Sequence, residues 1–139
     1  MKKTNKLRIS ITLLMLAAAA CVLVGKSVVH GSGFTLSYNY IDSLFPAADS
    51  AWKRTAVSYS WSLLTSGIIA SVLVWIRKTW MVPITAFVCL SSTINHVIRC
   101  ALDHYSVFQI DGVWEFFMLV LPLASMVLCL VLLCEMRKE

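Results

Sequence analysis

Four long apolar runs leave this chain few environments other than a lipid bilayer. They extend from Ile9 to about Val29, from about Lys53 to Ile76, from about Trp80 to Leu102 and from about Val113 to Cys134. An α-helix rises about 1.5 Å per residue, so each run covers a hydrocarbon core of about 30 Å. Of the 139 residues, 59% are hydrophobic and 14% charged, whereas soluble domains have about 45–50% and about 25%. Backbone amides inside hydrocarbon need partners within the protein, and isolated runs of this length supply them as helices. The expected fold is all-α: one membrane domain over residues 1–139, built as a four-transmembrane-helix antiparallel bundle.

Charge placement sets the expected orientation. Eight of the twelve Lys and Arg residues lie in the N-terminal segment (Lys2, Lys3, Lys6, Arg8), the turn Arg77-Lys78 and the C-terminus (Arg137, Lys138). The others, Lys26, Lys53, Arg54 and Arg99, fall near the opposite ends of the runs. The positive-inside rule then puts both termini and the 77–78 turn in the cytoplasm. Trp52, Trp75, Trp80 and Trp114 mark run ends, as in an interfacial aromatic belt. The net charge of +5 follows this anchoring pattern and forms no basic stripe on a soluble helix, so nucleic acid is not an expected partner.

The N-terminal run is too long for a signal-peptide core of about 7–15 residues. Ala18-Ala19-Ala20-Cys21 resembles a lipoprotein cleavage box, but the leucine usual three residues before the cysteine is missing. An uncleaved first helix is therefore expected. Arg77-Lys78 makes helices two and three antiparallel neighbours. The outer loop over residues 30–51 starts with Gly31-Ser32-Gly33, a flexible exit. Its residues Tyr38, Tyr40, Ile41, Leu44 and Phe45 suggest an amphipathic segment on the outer interface. Pro46 followed by Asp49 reads as an early start of helix two, with Asp49 and Lys53 spaced to pair.

Helix association in lipid depends on close packing and hydrogen bonds. Ala17, Cys21 and Gly25 in helix one, and Ser58, Ser62, Ser66 and Ala70 in helix two, recur every four residues. These small-residue stripes are the candidate packing faces. The five cysteines lie in or beside apolar runs, without the spacing of a disulfide framework or zinc site.

Helix three carries the main polar cluster. Ser92, His96, Arg99 and Asp103 share one face at intervals of four, three and four, with Asn95 beside them. An arginine within a span costs at least about 2.5–3.5 kcal/mol near the bilayer centre, so it faces protein or water and takes a partner. Asp103 and Glu115 are the candidates for Arg99. Asn95, His96, Arg99, Asp103 and Glu115 are thus the expected ligand- or partner-binding residues. His96 and His104 are about 12 Å apart along a helix, too far to share an ion, so neither a metal nor another cofactor is expected.

No nucleophile with its base, and no phosphate-binding loop, emerges from the sequence. The function expected is that of a small non-enzymatic accessory, regulatory or immunity-type protein of a bacterial cytoplasmic membrane. Its expected partners are the lipid bilayer and either a larger membrane protein or a second copy of itself. The alternative is a small dimeric transporter. The four-span layout and length are similar to those of the small multidrug resistance transporters, and the resemblance covers layout alone. Those proteins use an acidic residue in the middle of helix one, whereas Ile9–Val29 contains no Asp or Glu. A membrane enzyme using His96, Asp103, His104 and Glu115 at the outer face ranks third.

Overall fold

The computed structural model of the protein describes the backbone of residues 3–31, 34–39, 51–102 and 113–138, and the side chains of residues 3–26, 60–98 and 113–138. Four helices dominate it: α1 (Lys3–Val24), α2 (Ala51–Leu73), α3 (Met81–Leu102) and α4 (Val113–Met136). Three segments are long and apolar enough to cross a membrane: Lys3–Val24, Met81–Ile98 and Val113–Met136. α2 has 23 residues, a length of about 34 Å, and its apolar part among the described side chains is Ser60–Leu73.

The helices form a closed ring of neighbours, in the order α1, α2, α3, α4 and back to α1. Most of their buried residues follow one rule, with Ala19, Cys21, Ser66, Ser71, Ala86 and Thr93 buried beside that series. α1 buries Thr4, Arg8, Ile11, Met15, Ala18 and Val22, at alternating spacings of four and three. α2 buries Ser60, Leu63, Gly67 and Ala70, continued by Val74 just past its end, and α3 buries Val82, Thr85, Cys89, Ser92 and His96. α4 buries Met118, Pro122, Ser125, Cys129 and Leu132, remaining helical through Pro122. A mean spacing of 3.5 is the seam of left-handed helix packing, in which side chains of one helix fill holes in the next.

The first span differs from the expectation of about 9–29. α1 begins at Lys3 and ends at Val24, where the Gly25 amide closes the last turn by donating to Cys21 O at 2.8 Å. Glycine is a poor helix residue and a common helix terminator. The chain then forms a β-hairpin of β1 (Lys26–Gly31) and β2 (Phe34–Asn39), antiparallel from Lys26 opposite Asn39 to Gly31 opposite Phe34. Only residues 32–33 connect the strands, the loop length typical of tight hairpins. Gly31 is therefore the last residue of a strand rather than the start of a flexible helix exit, and this hairpin is added to the four expected helices. β1 also touches α4. Of the expected interfacial segment, Tyr38 belongs to β2, while Tyr40, Ile41, Leu44 and Phe45 lie outside the described residues, as do Pro46 and Asp49.

Two apolar clusters fill the ring. One contains Ile11, Met15, Ala70, Val74, Val82, Ala86, Cys89, Cys129 and Leu132. The other, nearer the hairpin, contains Ala18, Cys21, Val22, Leu63 and Met118. The surface carries large apolar side chains from all four helices, among them Leu13, Val72, Phe87 and Leu130.

Candidate functional site

The polar cluster is a seam between α2 and α3. α2 presents Ser62 and Ser66 on adjacent turns, and α3 presents Ser92 and Asn95 opposite them. Asn95 Nδ2 donates to Ser62 Oγ at 2.7 Å. One turn away, the hydroxyls of Ser66 and Ser92 are hydrogen-bonded to each other. Ser66 Oγ also lies 3.1 Å from Leu63 O, and Ser92 Oγ lies 3.4 Å from Val88 O. Each hydroxyl has one proton to donate. Two polarities therefore satisfy the pair: Ser66 to Ser92 to Val88 O, or Ser92 to Ser66 to Leu63 O.

His96 continues this face one turn beyond Ser92. It is 2% exposed and engages a neighbouring group. Thr93, beside it, is buried and donates to Cys89 O at 3.4 Å. Thr65 faces outward instead, and its hydroxyl turns back on its own helix, 2.7 Å from Trp61 O and 3.2 Å from Ser62 O. Polar side chains in these helices thus either meet another helix or return to their own backbone, as an apolar surrounding demands.

The sequence-derived candidates fall into three groups. Asn95 is half-buried and His96 buried within the ring. Glu115 is half-buried in the first turn of α4 and engages a neighbour. The Arg99 side chain and all of Asp103 lie outside the described residues, and with them the Arg99–Asp103 and Arg99–Glu115 pairs. Among the packing candidates, Cys21, Gly25, Ser66 and Ala70 are buried and Ser62 is half-buried, whereas the side chain of Ser58 is outside the described residues. Ala17 faces outward. The inward face of α1 takes in Cys21 together with Met15, Ala18, Ala19 and Val22, and leaves out Ala17.

Sequence reasoning missed two residues. Gly67 sits where α1 and α2 approach most tightly among the described glycines. A Cβ there would lie 2.8 Å from both Met15 O and Ala19 Cβ, closer than real contacts permit. The other is Arg8, which looks like a topology marker in the sequence but is 4% exposed. Its Nη1 donates to Val74 O and lies 3.5 Å from Ile76 O, while Nη2 lies 3.3 Å from Met136 Sδ. The last carbonyls of a helix have no intrahelical donor, so the guanidinium caps the end of α2 from α1 while touching α4. The signal for Arg8 was its place in the series 4, 8, 11, 15, 18, 22.

Arg8 also shows which helix ends lie together. The start of α1, the end of α2 and the end of α4 meet at one end of the ring. Lys3 Nζ, 3.0 Å from Glu135 Oε1, adds a second tie between α1 and α4. Trp75 Nε1 donates to Thr12 Oγ1 at 3.0 Å and adds another between α1 and α2. Among the described residues, no group of three or more His, Cys, Asp or Glu side chains is arranged to hold a metal ion. No family model, curated protein or solved structure matches this chain.

Proposed function

We propose that this is a four-span protein of a bacterial cytoplasmic membrane, with both termini and the 77–78 turn on the cytoplasmic face. It acts without catalysis, as an accessory, regulatory or immunity-type partner of a larger membrane protein or a lipid assembly. The observation that carries this reading is the division of the helices into two kinds of surface. Apolar side chains such as Phe87 (69% exposed) face outward on every helix, while Ser66, Ser92 and His96 face the interior. An apolar outer surface suits lipid or another membrane helix as its neighbour. α2 serves as the fourth span, since it is long enough and packs between α1 and α3. The polar seam fixes the α2–α3 register, and Arg99 follows Asn95 one turn later in the α3 sequence.

Cross-linking and affinity purification of the tagged protein from its native membrane tests this function. Wild type is compared with Arg99→Ala and Arg99→Gln. A larger membrane protein that co-purifies with wild type and is lost in both variants is the expected result. Recovery only of monomer or a self-dimer contradicts the accessory role.

The small dimeric transporter is the second reading. It is favoured by the polar line of Ser66, Ser92 and His96, buried, with Ser62 and Asn95, half-buried, since polar groups inside a membrane ring often mark a transport path. Substrate-dependent flux into proteoliposomes that is lost in Asn95→Leu, with the fold retained, would select it over the accessory role.

A further inference from the structure

The end of the ring marked by Arg8 is a basic rim. Lys3, Lys6, Arg77, Lys78, Arg137 and Lys138 are all exposed there, brought together by the contacts of Arg8 and Lys3 with α2 and α4. Among the described residues Glu135 is the acid there, and it is already shared, 3.0 Å from Lys3 Nζ and 3.3 Å from Lys138 Nζ. Lys6, Arg77, Lys78 and Arg137 have no acidic partner among the described residues. Trp75 and Trp80 flank the Arg77-Lys78 turn and are 45% and 57% exposed. Exposed tryptophans beside exposed cations form the profile of a headgroup boundary: the indole lies among the upper acyl carbons, and the cation reaches the phosphate.

We propose that this rim, centred on Arg77, Lys78, Trp75 and Trp80, is a binding site for anionic phospholipid. The inference rests on the four-span reading and deepens it by naming the lipid class. The rim does more than orient the chain during insertion. It holds a phosphodiester headgroup between the α2–α3 turn and the two termini, with an acyl chain against the tryptophans. Arg8 is not the lipid ligand, because its guanidinium is committed to Val74 O and Met136 Sδ. Its role is to hold three helix ends together so that cations far apart in sequence act as one patch.

The full-length protein is reconstituted in nanodiscs of phosphatidylcholine alone, or with a fraction of phosphatidylglycerol. Thermal unfolding and the lipid retained on detergent extraction are then measured. Wild type is expected to melt higher in the anionic discs and to retain phosphatidylglycerol in excess of its bulk fraction. Arg77→Gln/Lys78→Gln, which changes only exposed side chains, is expected to lower that enrichment by roughly tenfold or more, since each juxtamembrane cation contributes to anionic-lipid attraction. Lys26→Gln, an exposed cation beyond the other end of α1, is expected to leave it unchanged, and raised salt to weaken it in wild type.

Equal behaviour in neutral and anionic discs overturns the inference. So does an equal loss in Lys26→Gln, which would indicate net charge rather than a site. Displacement of the lipid by soluble glycerol phosphate at a similar concentration assigns the rim to free phosphate and also overturns it. Binding of soluble polyglutamate to the rim without any lipid effect assigns it to an acidic protein instead. Protease protection of α2 in the same discs reports on the four-span reading separately.

Discussion

The two halves of the ring are held together in different ways. The half next to the basic rim is filled by apolar side chains, Ile11, Met15, Val74, Val82 and Leu132 among them, and closed by one buried arginine on the carbonyl end of α2. The half next to the hairpin has a smaller apolar cluster around Leu63 and Met118. There α2 and α3 are joined through Ser62–Asn95 and Ser66–Ser92. Lipid supplies no hydrophobic drive between helices, so each half relies on contact and pairing. The rim half gains dispersion contacts and a charge-assisted cap. The hairpin half gains hydrogen bonds that are satisfied in only one register, a device known from polar residues at helix-packing seams.

This contrast can be broken at several points, and unfolding from mixed micelles measures each. Gly67→Leu is expected to have the largest effect. It forces a side chain into Met15 O and Ala19, and overpacking costs about 1–3 kcal/mol or more. If it is as stable as wild type, α1 and α2 are not as close as described. Arg8→Met comes next. It leaves the Val74 carbonyl without its charged donor, a loss of about 1.5–3 kcal/mol, and should fray the α2–α3 turn first, seen as faster amide exchange at residues 74–76.

Asn95→Leu removes one rung of the seam. Interhelical hydrogen bonds in membranes average about 0.6 kcal/mol, with a maximum near about 1.7 kcal/mol, so the expected loss lies in that range. A double-mutant cycle with Ser62→Ala should recover most of it as coupling, and additive effects would mean the two side chains do not meet. Ala17→Leu is expected to be the mildest. The residue faces outward, where substitutions stay within about 0.5 kcal/mol. A large loss there would restore the Ala17, Cys21, Gly25 stripe as the packing face of α1.

The helical class and the membrane-spanning character were legible because long apolar runs have few other solutions. The face each helix buries was not. In a soluble helix, hydropathy separates the buried side from the exposed one, but here Leu13 and Phe87 face outward as readily as Ile11 and Met15 face inward. The more telling signal is the spacing of small and polar residues, as in Ser60, Gly67 and Ala70 of α2. The stripe chosen on α1 followed strict intervals of four, whereas the observed seam alternates four and three, which moves Ala17 outside.

The hairpin had a signal that was passed over. Phe34-Thr35-Leu36-Ser37-Tyr38-Asn39 alternates apolar and polar residues, the period of a strand, and it follows Gly-Ser-Gly after the β-branched Val28-Val29. The apolar run of helix one masked it, because Val28 and Val29 extend that run while also favouring a strand. Asn95 and His96 stand out in the sequence as polar groups within an apolar run. The placement of Asn95 toward α2 was not readable, because it depends on which of two apolar-looking faces turns inward.

In the four-span arrangement the two ends of the ring lie on opposite sides of the membrane. Single cysteines placed by Lys6→Cys, Lys78→Cys, Lys138→Cys or Lys26→Cys test this directly. The background carries Cys100→Ser and Cys134→Ser, and Cys21, Cys89 and Cys129 are buried. Labelling with a membrane-impermeant maleimide in sealed vesicles of known orientation should mark positions 6, 78 and 138 from the cytoplasmic side and position 26 from the other. Labelling of position 78 from the side opposite to 138 would contradict the four-span arrangement, and with it the single basic rim.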